Sequence, residues 1–313
     1  MTRMRAISQR AFGGPEVLEL VETDRPDPGP DEALVRVRAA SVNPGDWKIR
    51  SGAVPRFGEP PFTLGLDLCG AVEAVGGTAM RFRVGDAVYG CAFPPRGSYA
   101  EYAVVPTDAL APAPASIHHI QAAALPVVAL TAWQPLARVA GVQAGQRVLV
   151  HAAAGGVGHV AVQIAKVRGA YVIGTARHDN HPFLRELGAD ELIDYTAVDF
   201  AEVARDIDVV LDPISGDYGL RSLDTLAPGG LLIDVRGTGP DRTVVSEQAR
   251  ARGLRFVEFR FTPSGADLES ITELVEHHGL RVAVEQTLPL EDAARAHRLS
   301  ETNRVRGKIV LTP

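Results

Sequence analysis

The sequence predicts an α/β protein in which a doubly wound parallel sheet is joined to a β-rich, barrel-like domain. Three observations predict it. Between about residues 124 and 261, six strand-like runs alternate with helical patterns, the rhythm of a parallel sheet built by crossover connections. From residue 1 to about 123, short β-rich runs alternate instead with Pro/Gly clusters, and no long helical periodicity precedes Gln121. After residue 261 the tail reads helix, strand, helix, strand, and its last run, "GKIVL", is expected to return to the first domain. The expected domains are therefore 1–123 with 262–313, and 124–261.

Each element follows from local chemistry. In the first region "ALVRVRAASV" and "GAVEAVG" read as strands, while "DRPDPGPDE" and "GEPPFTLG" supply turn residues. In the second, the strands are "RVLVHA", "AYVIGT", "ELIDY", "IDVVLD", "GGLLIDV" and "LRFVEF". Between the first two, a helix is expected to start near Val157. Its Val160, Ile164 and Val167 recur at spacings of four and three, which puts them on one face suited to packing on the sheet. No internal repeat or low-complexity segment interrupts this order.

Composition narrows the function. With 313 residues, 46% hydrophobic and 22% charged, the chain can bury a large core. Its net charge of −6 argues against nucleic-acid and anionic-membrane partners, which need concentrated positive charge. Two cysteines, Cys69 and Cys91, are too few for a disulfide framework or a thiolate zinc site. The start "MTRMRAISQRAF" lacks the apolar run of a signal peptide, and no segment reaches the ~18 apolar residues that span a bilayer. A cytoplasmic setting is expected. Nine histidines occur, but His118/His119 and His277/His278 are adjacent pairs, which on a helix point apart and suit a solvated surface better than metal ligation.

The chemistry-bearing stretch is "VLVHAAAGGVGHV". Ala153, Gly155 and Gly158 take the first, third and sixth places of a G-x-G-x-x-G turn between strand and helix. A small residue at Ala153 makes the turn, Gly155 lets backbone approach a pyrophosphate, and Gly158 lets the helix pack on the strand. The turn residues Gly156 and Val157 complete a helix N-terminus whose free amides face the phosphates. At the end of the next strand, Thr175 and Ala176 stand where an acid would hold a ribose 2′-hydroxyl, and Arg177 follows. Arg177 is read either as a contact to the 2′-phosphate of NADPH or as a solvated arginine with Asp179 as its counter-charge.

Over nearly its whole length the sequence resembles the medium-chain dehydrogenase/reductase superfamily, and within it the zinc-independent quinone oxidoreductase (zeta-crystallin-like) group. The stretches that carry the resemblance include "ASVNPGDWKIRSG", "LGLDLCGAVEAVG", "GSYAEYAVV", "AAALPVVALTAW", "AAAGGVG", "APGGLLIDV" and "RGKIVL". It implies a Rossmann domain for the parallel sheet and a GroES-like catalytic domain of β-barrel type for the remainder. It also implies a homodimer. Further cofactor contacts carry over by position: Thr131 near the nicotinamide, Tyr195 on the adenosine side and Val235 offering backbone to the carboxamide. Each has a plain structural alternative, as a helix-packing, strand-closing or strand residue.

Departures from the zinc-binding members are informative. Leu66 replaces the histidine ligand and Asp46 stands where the first catalytic cysteine would lie, so no metal is expected. Hydrogen bonds alone must then activate the hydride acceptor. Asn43, in "SVNP", is the first candidate for a polar contact to the acceptor oxygen or the cofactor, or else a turn residue before Pro44. Asp46 either orients water or substrate or caps the short helix that follows. Val54 occupies the place of a tyrosine found in relatives and can donate no proton. The expected function is NADPH-dependent reduction of quinones or α,β-unsaturated carbonyl compounds. The alternatives are a biosynthetic enoyl reductase or tailoring oxidoreductase, and an NADPH-binding protein with little catalysis.

Overall fold

The computed structural model describes residues 2–77, 81–239 and 241–313, and its chain divides into two compact units. One comprises Met1–Leu130 with Pro263–Pro313, the other Thr131–Thr262. The first division therefore falls inside a helix, Pro126–Trp133, rather than ahead of it at 123/124.

The first unit is built from β1 (Arg3–Gln9), β2 (Glu19–Asp24), β3 (Glu32–Val42), α1 (Pro44–Arg50), β4 (Phe62–Thr63), β5 (Asp67–Val75), β6 (Ala87–Cys91), β7 (Tyr102–Pro106), β8 (Leu110–Pro112), α2 (His119–Ala123) and the start of α3 (Pro126–Trp133). Among the described residues, β1 pairs antiparallel with β2 and β4, and β3 pairs antiparallel with both β5 and β7. Strand β3 is eleven residues long and most of its residues are buried, because it sits inside the sheet with a partner on each edge.

The second unit is a six-stranded parallel sheet among the described residues. Its elements are β9 (Arg147–Val150), α4 (Gly156–Val167), β10 (Tyr171–Ala176), α5 (His181–Glu186), β11 (Glu191–Asp194), α6 (Phe200–Val203), β12 (Ile207–Asp212), α7 (Asp217–Leu223), β13 (Leu226–Asp234), α8 (Thr243–Ala251) and β14 (Arg255–Glu258). The spatial order β11-β10-β9-β12-β13-β14 is the doubly wound order with a switch point at β9. All six expected strands are present, and Leu149, Ile173, Phe200, Val210 and Leu232 fill the core around them. The two ends of the unit are tied by Gln134, whose amide donates to the Thr262 carbonyl (2.8 Å) and accepts from the Thr262 N–H (3.0 Å).

The chain then returns to the first unit through α9 (Gly265–His278), β15 (Val284–Pro289), α10 (Ala293–Glu301) and β16 (Lys308–Thr312). The "GKIVL" strand, β16, pairs antiparallel with β3 and parallel with β15. Among the described residues no helix is long and apolar enough to cross a membrane.

Two local expectations fail. Val160 and Ile164 are fully buried, but Val167 is 41% exposed. Val167 is the last residue of α4, at the end of the helix where the chain leaves it for β10. The His118 and His119 rings do not point apart: their centroids lie 3.8 Å from each other. His118 is the extended N-cap of α2, not a helical residue, so the helical rule for adjacent side chains does not govern the pair.

Candidate active site and nicotinamide site

In the second unit the glycine-rich turn is held by main-chain bonds. The Ala153 N–H donates to the Thr175 carbonyl at 3.0 Å, and the Gly155 N–H to that of Ala152 at 2.9 Å. Ala152 itself has φ of +47°, a left-handed conformation that lets the chain turn from β9 into α4. Gly155 is the N-cap of α4. Gly156, Val157 and Gly158 then occupy its first turn, where amides have no carbonyl partner inside the helix. Gly155, Gly156 and Val157 remain partly exposed, whereas Gly158 is buried. A Cβ on Gly158 would meet the Ala152 carbonyl oxygen at 2.3 Å.

At the next strand end, Thr175 and Ala176 are both buried. The Thr175 hydroxyl lies 3.2 Å from His151 Nδ1, and His151 Nε2 lies 2.9 Å from the Ser222 hydroxyl. Thr175 is thus committed to the interior, which leaves Arg177 as the exposed side chain there. Its Nε donates to the Tyr195 hydroxyl at 3.4 Å, and Tyr195 is 41% exposed. Val235 lies one residue past β13, and its N–H is already given to the Asp212 carbonyl at 2.9 Å, so only its own carbonyl remains to offer. Thr131 is buried in α3. The glycine turn, the open helix start and the Arg177–Tyr195 pair together fit a dinucleotide.

In the first unit Asn43 and Asp46 open α1. Asn43 is its extended N-cap, and Asp46, three residues on, accepts the Asn43 N–H at 2.7 Å through Oδ2. Asp46 therefore does cap its helix. It is also fully buried, and burial pushes its carboxyl up to about 7 against the lowering pull of the Asn43 amide. Its Oδ2 accepts from the Tyr99 hydroxyl at 3.1 Å, while Oδ1 has no hydrogen-bond partner.

Tyr99 belongs to a directed chain. Its hydroxyl is 3.3 Å from His297 Nε2, and His297 Nδ1 is 2.9 Å from Arg50 Nη1. A guanidinium only donates, so Nδ1 accepts and Nε2 carries the proton. That proton goes to the Tyr99 oxygen, leaving the phenolic hydrogen for Asp46. Arg50 is anchored in turn by the Glu301 carboxylate and the Gly13 carbonyl.

The Asn43 side chain is engaged on both atoms. Nδ2 donates to Asp67 Oδ2 at 2.8 Å, and Oδ1 accepts from Lys308 Nζ at 2.5 Å. Asp67 also accepts from the Ser41 hydroxyl at 2.5 Å and the Val127 N–H at 2.7 Å. The sequence reading missed Asp67, Lys308, Tyr99 and His297. A usable signal existed for two of them: Asp67 in "GLDLCG" and Lys308 in "GKIVL" are charges inside otherwise apolar strands, and buried charges are rarely without a partner.

These two clusters on these two sheets define a medium-chain dehydrogenase/reductase, and the chain belongs to that superfamily. Within it, the chain falls in the quinone oxidoreductase-like group. The alcohol dehydrogenase GroES-like domain matches residues 29–115, and the zinc-binding dehydrogenase family matches 187–311. A quinone oxidoreductase of Pseudomonas aeruginosa is 35% identical over 99% of each chain. The quinone oxidoreductase of Coxiella burnetii superposes with a TM-score of 0.92 at 37% identity, covering 100% of both chains. A mycobacterial protein complexed with NADPH gives 0.90 at 33% identity, covering 99% of this chain and 100% of its own. The chain is accordingly an oxidoreductase that uses a nicotinamide cofactor.

Zinc, which the second family's description implies, does not fit the residues present. Leu66 is buried and aliphatic. Asp46 is committed to the Asn43 N–H and the Tyr99 hydroxyl. Among the described residues no group of three or more His, Cys, Asp or Glu is placed to hold a metal.

Proposed function

We propose that the protein reduces quinones, or α,β-unsaturated carbonyl compounds, with NADPH and without zinc. The observation that carries this reading is that the two places where the zinc-binding members carry ligands hold an aliphatic side chain, Leu66, and a carboxyl engaged in hydrogen bonds, Asp46, beside the hydrogen-bonding Asn43. NADPH supplies a hydride when bound. The acceptor must also take up a proton, and this chain has two ways to assist. One amide N–H of Asn43 remains beyond its bond to Asp67 and serves a developing negative charge on the acceptor oxygen. The Asp46 carboxyl, pushed up to about 7, holds a proton at neutral pH for a reduced oxygen. Conjugated acceptors suit this equipment because they spread the arriving charge, which simple ketones cannot do without a Lewis acid. A homodimer in the cytoplasm completes the proposal, on the resemblance to the family.

Purified protein with NADPH is expected to reduce a set of quinones faster than simple aldehydes or ketones, with enones between or absent. Alcohol oxidation as the best activity, with quinones inert, would overturn the proposal. NADPH binding without turnover of any acceptor would favour a cofactor-binding protein instead.

The preference for NADPH rests on Arg177. A guanidinium pairs well with a 2′-phosphate, and the neighbouring Tyr195 hydroxyl steadies it. Arg177→Ala is expected to weaken NADPH by about 1 to 3 kcal/mol, the value of a charged hydrogen bond, and to leave NADH nearly unchanged. Titration of both cofactors checks this, and equal losses would remove Arg177 from the 2′-phosphate site.

A further inference from the structure

Lys308 stands out as a buried charge better aimed at a neutral group than at its counter-ion. Its Nζ is 2.5 Å from Asn43 Oδ1 but 3.3 Å from Asp67 Oδ2. Asp67 is already satisfied by Ser41, Asn43 and the Val127 N–H. A lysine kept only to neutralise Asp67 would sit closer to the carboxylate. All three side chains are essentially withdrawn from water, with Lys308 and Asn43 at 2% exposure.

The chemistry of the three groups fixes the carboxamide. An ammonium only donates and a carboxylate only accepts, so Oδ1 must face Lys308 and Nδ2 must face Asp67. Positive charge on the amide oxygen withdraws electrons from the nitrogen. In a low-dielectric interior, hydrogen bonds in such a chain polarise one another and strengthen the donor that remains.

We propose that Lys308 is a positioning residue for the reduction: it locks the Asn43 carboxamide and polarises it, so that its remaining N–H is a strong donor to the acceptor oxygen. The inference rests on the reading of Asn43 given above. Lys308 touches neither acceptor nor cofactor in this scheme and acts through Asn43 alone.

The test uses the full-length protein with NADPH and 1,4-benzoquinone. Four variants are compared: Asn43→Ala, Lys308→Met, Asp67→Asn/Lys308→Met, which removes both buried charges at once should the single lysine variant fail to fold, and the triple variant that combines the three changes. Asn43→Ala is expected to lower kcat about a hundredfold. The charge-free pair is expected to lower kcat tenfold or more, with the KM for NADPH within about twofold of the parent and a similar melting temperature. Adding that pair to Asn43→Ala should cost little more, because a residue acting through Asn43 has nothing left to act on.

A folded Asp67→Asn/Lys308→Met protein with parental kcat, while Asn43→Ala is impaired, overturns the inference and leaves the reading of Asn43 standing. Losses that simply multiply in the triple variant overturn it as well. Parental kcat in Asn43→Ala overturns both.

Discussion

Replacing Gly158 by alanine is expected to lower the melting temperature by roughly 5–10 °C and to weaken NADPH binding at least tenfold. The added Cβ would lie 2.3 Å from the Ala152 carbonyl oxygen, 2.7 Å from Ala153 Cα and 2.8 Å from the Ala153 carbonyl oxygen. Every one of these atoms is main chain, so no side-chain rotation relieves the overlap. Ala152 is already in a left-handed conformation and cannot turn further without added strain. Helix α4 must therefore back away from β9, which costs packing along Val160 and Ile164 and moves the first-turn amides that await the phosphates. Gly155→Ala separates the two effects. Its Cβ would meet only the Ala152 oxygen, at 3.2 Å, and its φ of −76° suits alanine. That variant is expected to keep the melting temperature within a few degrees while losing NADPH affinity, since the new methyl occupies the side from which a pyrophosphate approaches. Thermal melting and NADPH titration on both proteins check the pair. A Gly158→Ala protein with parental melting and affinity would remove this glycine from the packing role assigned to it.

The Gly158 prediction was open to sequence reasoning because everything it needs lies within a dozen residues. The strand, the turn and the first face of α4 are local, and local pattern is what a single sequence carries. The same holds for the six strands of the parallel sheet, whose order then follows from the general rules of doubly wound folds. Val167 marks where such reasoning ends, because periodicity gives the face of a helix but not the residue at which the helix stops, and Val167 is its last. Thr175 marks a second limit. Its place in the strand was legible, yet its hydroxyl turns inward to a histidine 24 residues earlier, a pairing that no spacing announces. The active-site cluster is the extreme case. Asn43 and Lys308 are separated by 265 positions, and Arg50 and His297 by 247, so the groups that hold Asn43 and Asp46 become visible only when β16 and α10 are folded back onto the first unit.

The second large effect concerns acid. Burial, helped by the charge of Arg221, pushes His151 down to about 3, and burial beside Arg50 does the same to His297. An unfolded chain protonates both near the ordinary value of about 6.5. Below that pH the unfolded state binds protons that the folded state refuses, so the stability these histidines contribute is complete above about 6.5 and is lost as the pH falls towards 3. Between about pH 7 and about pH 5 the loss is on the order of 2 kcal/mol for each. Asp46 works in the opposite sense. Its folded value of about 7 lies above its ordinary 3.8, so the folded state binds the extra proton and gains stability as the pH falls through that window. Burial pushes Asp212 up to about 6 and adds a smaller gain in the second unit. Over the upper window the opposing contributions offset one another, and below about pH 4 only the histidine loss continues. The melting temperature of the parent is thus expected to change by only a few degrees from about pH 7 to about pH 5 and to fall steeply below. Asp46→Asn removes the compensation in the first unit and should begin to lose stability near pH 6.5. His151→Gln removes about 2 kcal/mol of the acid loss in the second unit and should show a rising or flat profile there. Differential scanning calorimetry of the three proteins across this range provides the measurement. Identical pH profiles for the parent and Asp46→Asn would show that the carboxyl titrates at its ordinary value, which would also remove it as a proton source for a reduced acceptor at neutral pH.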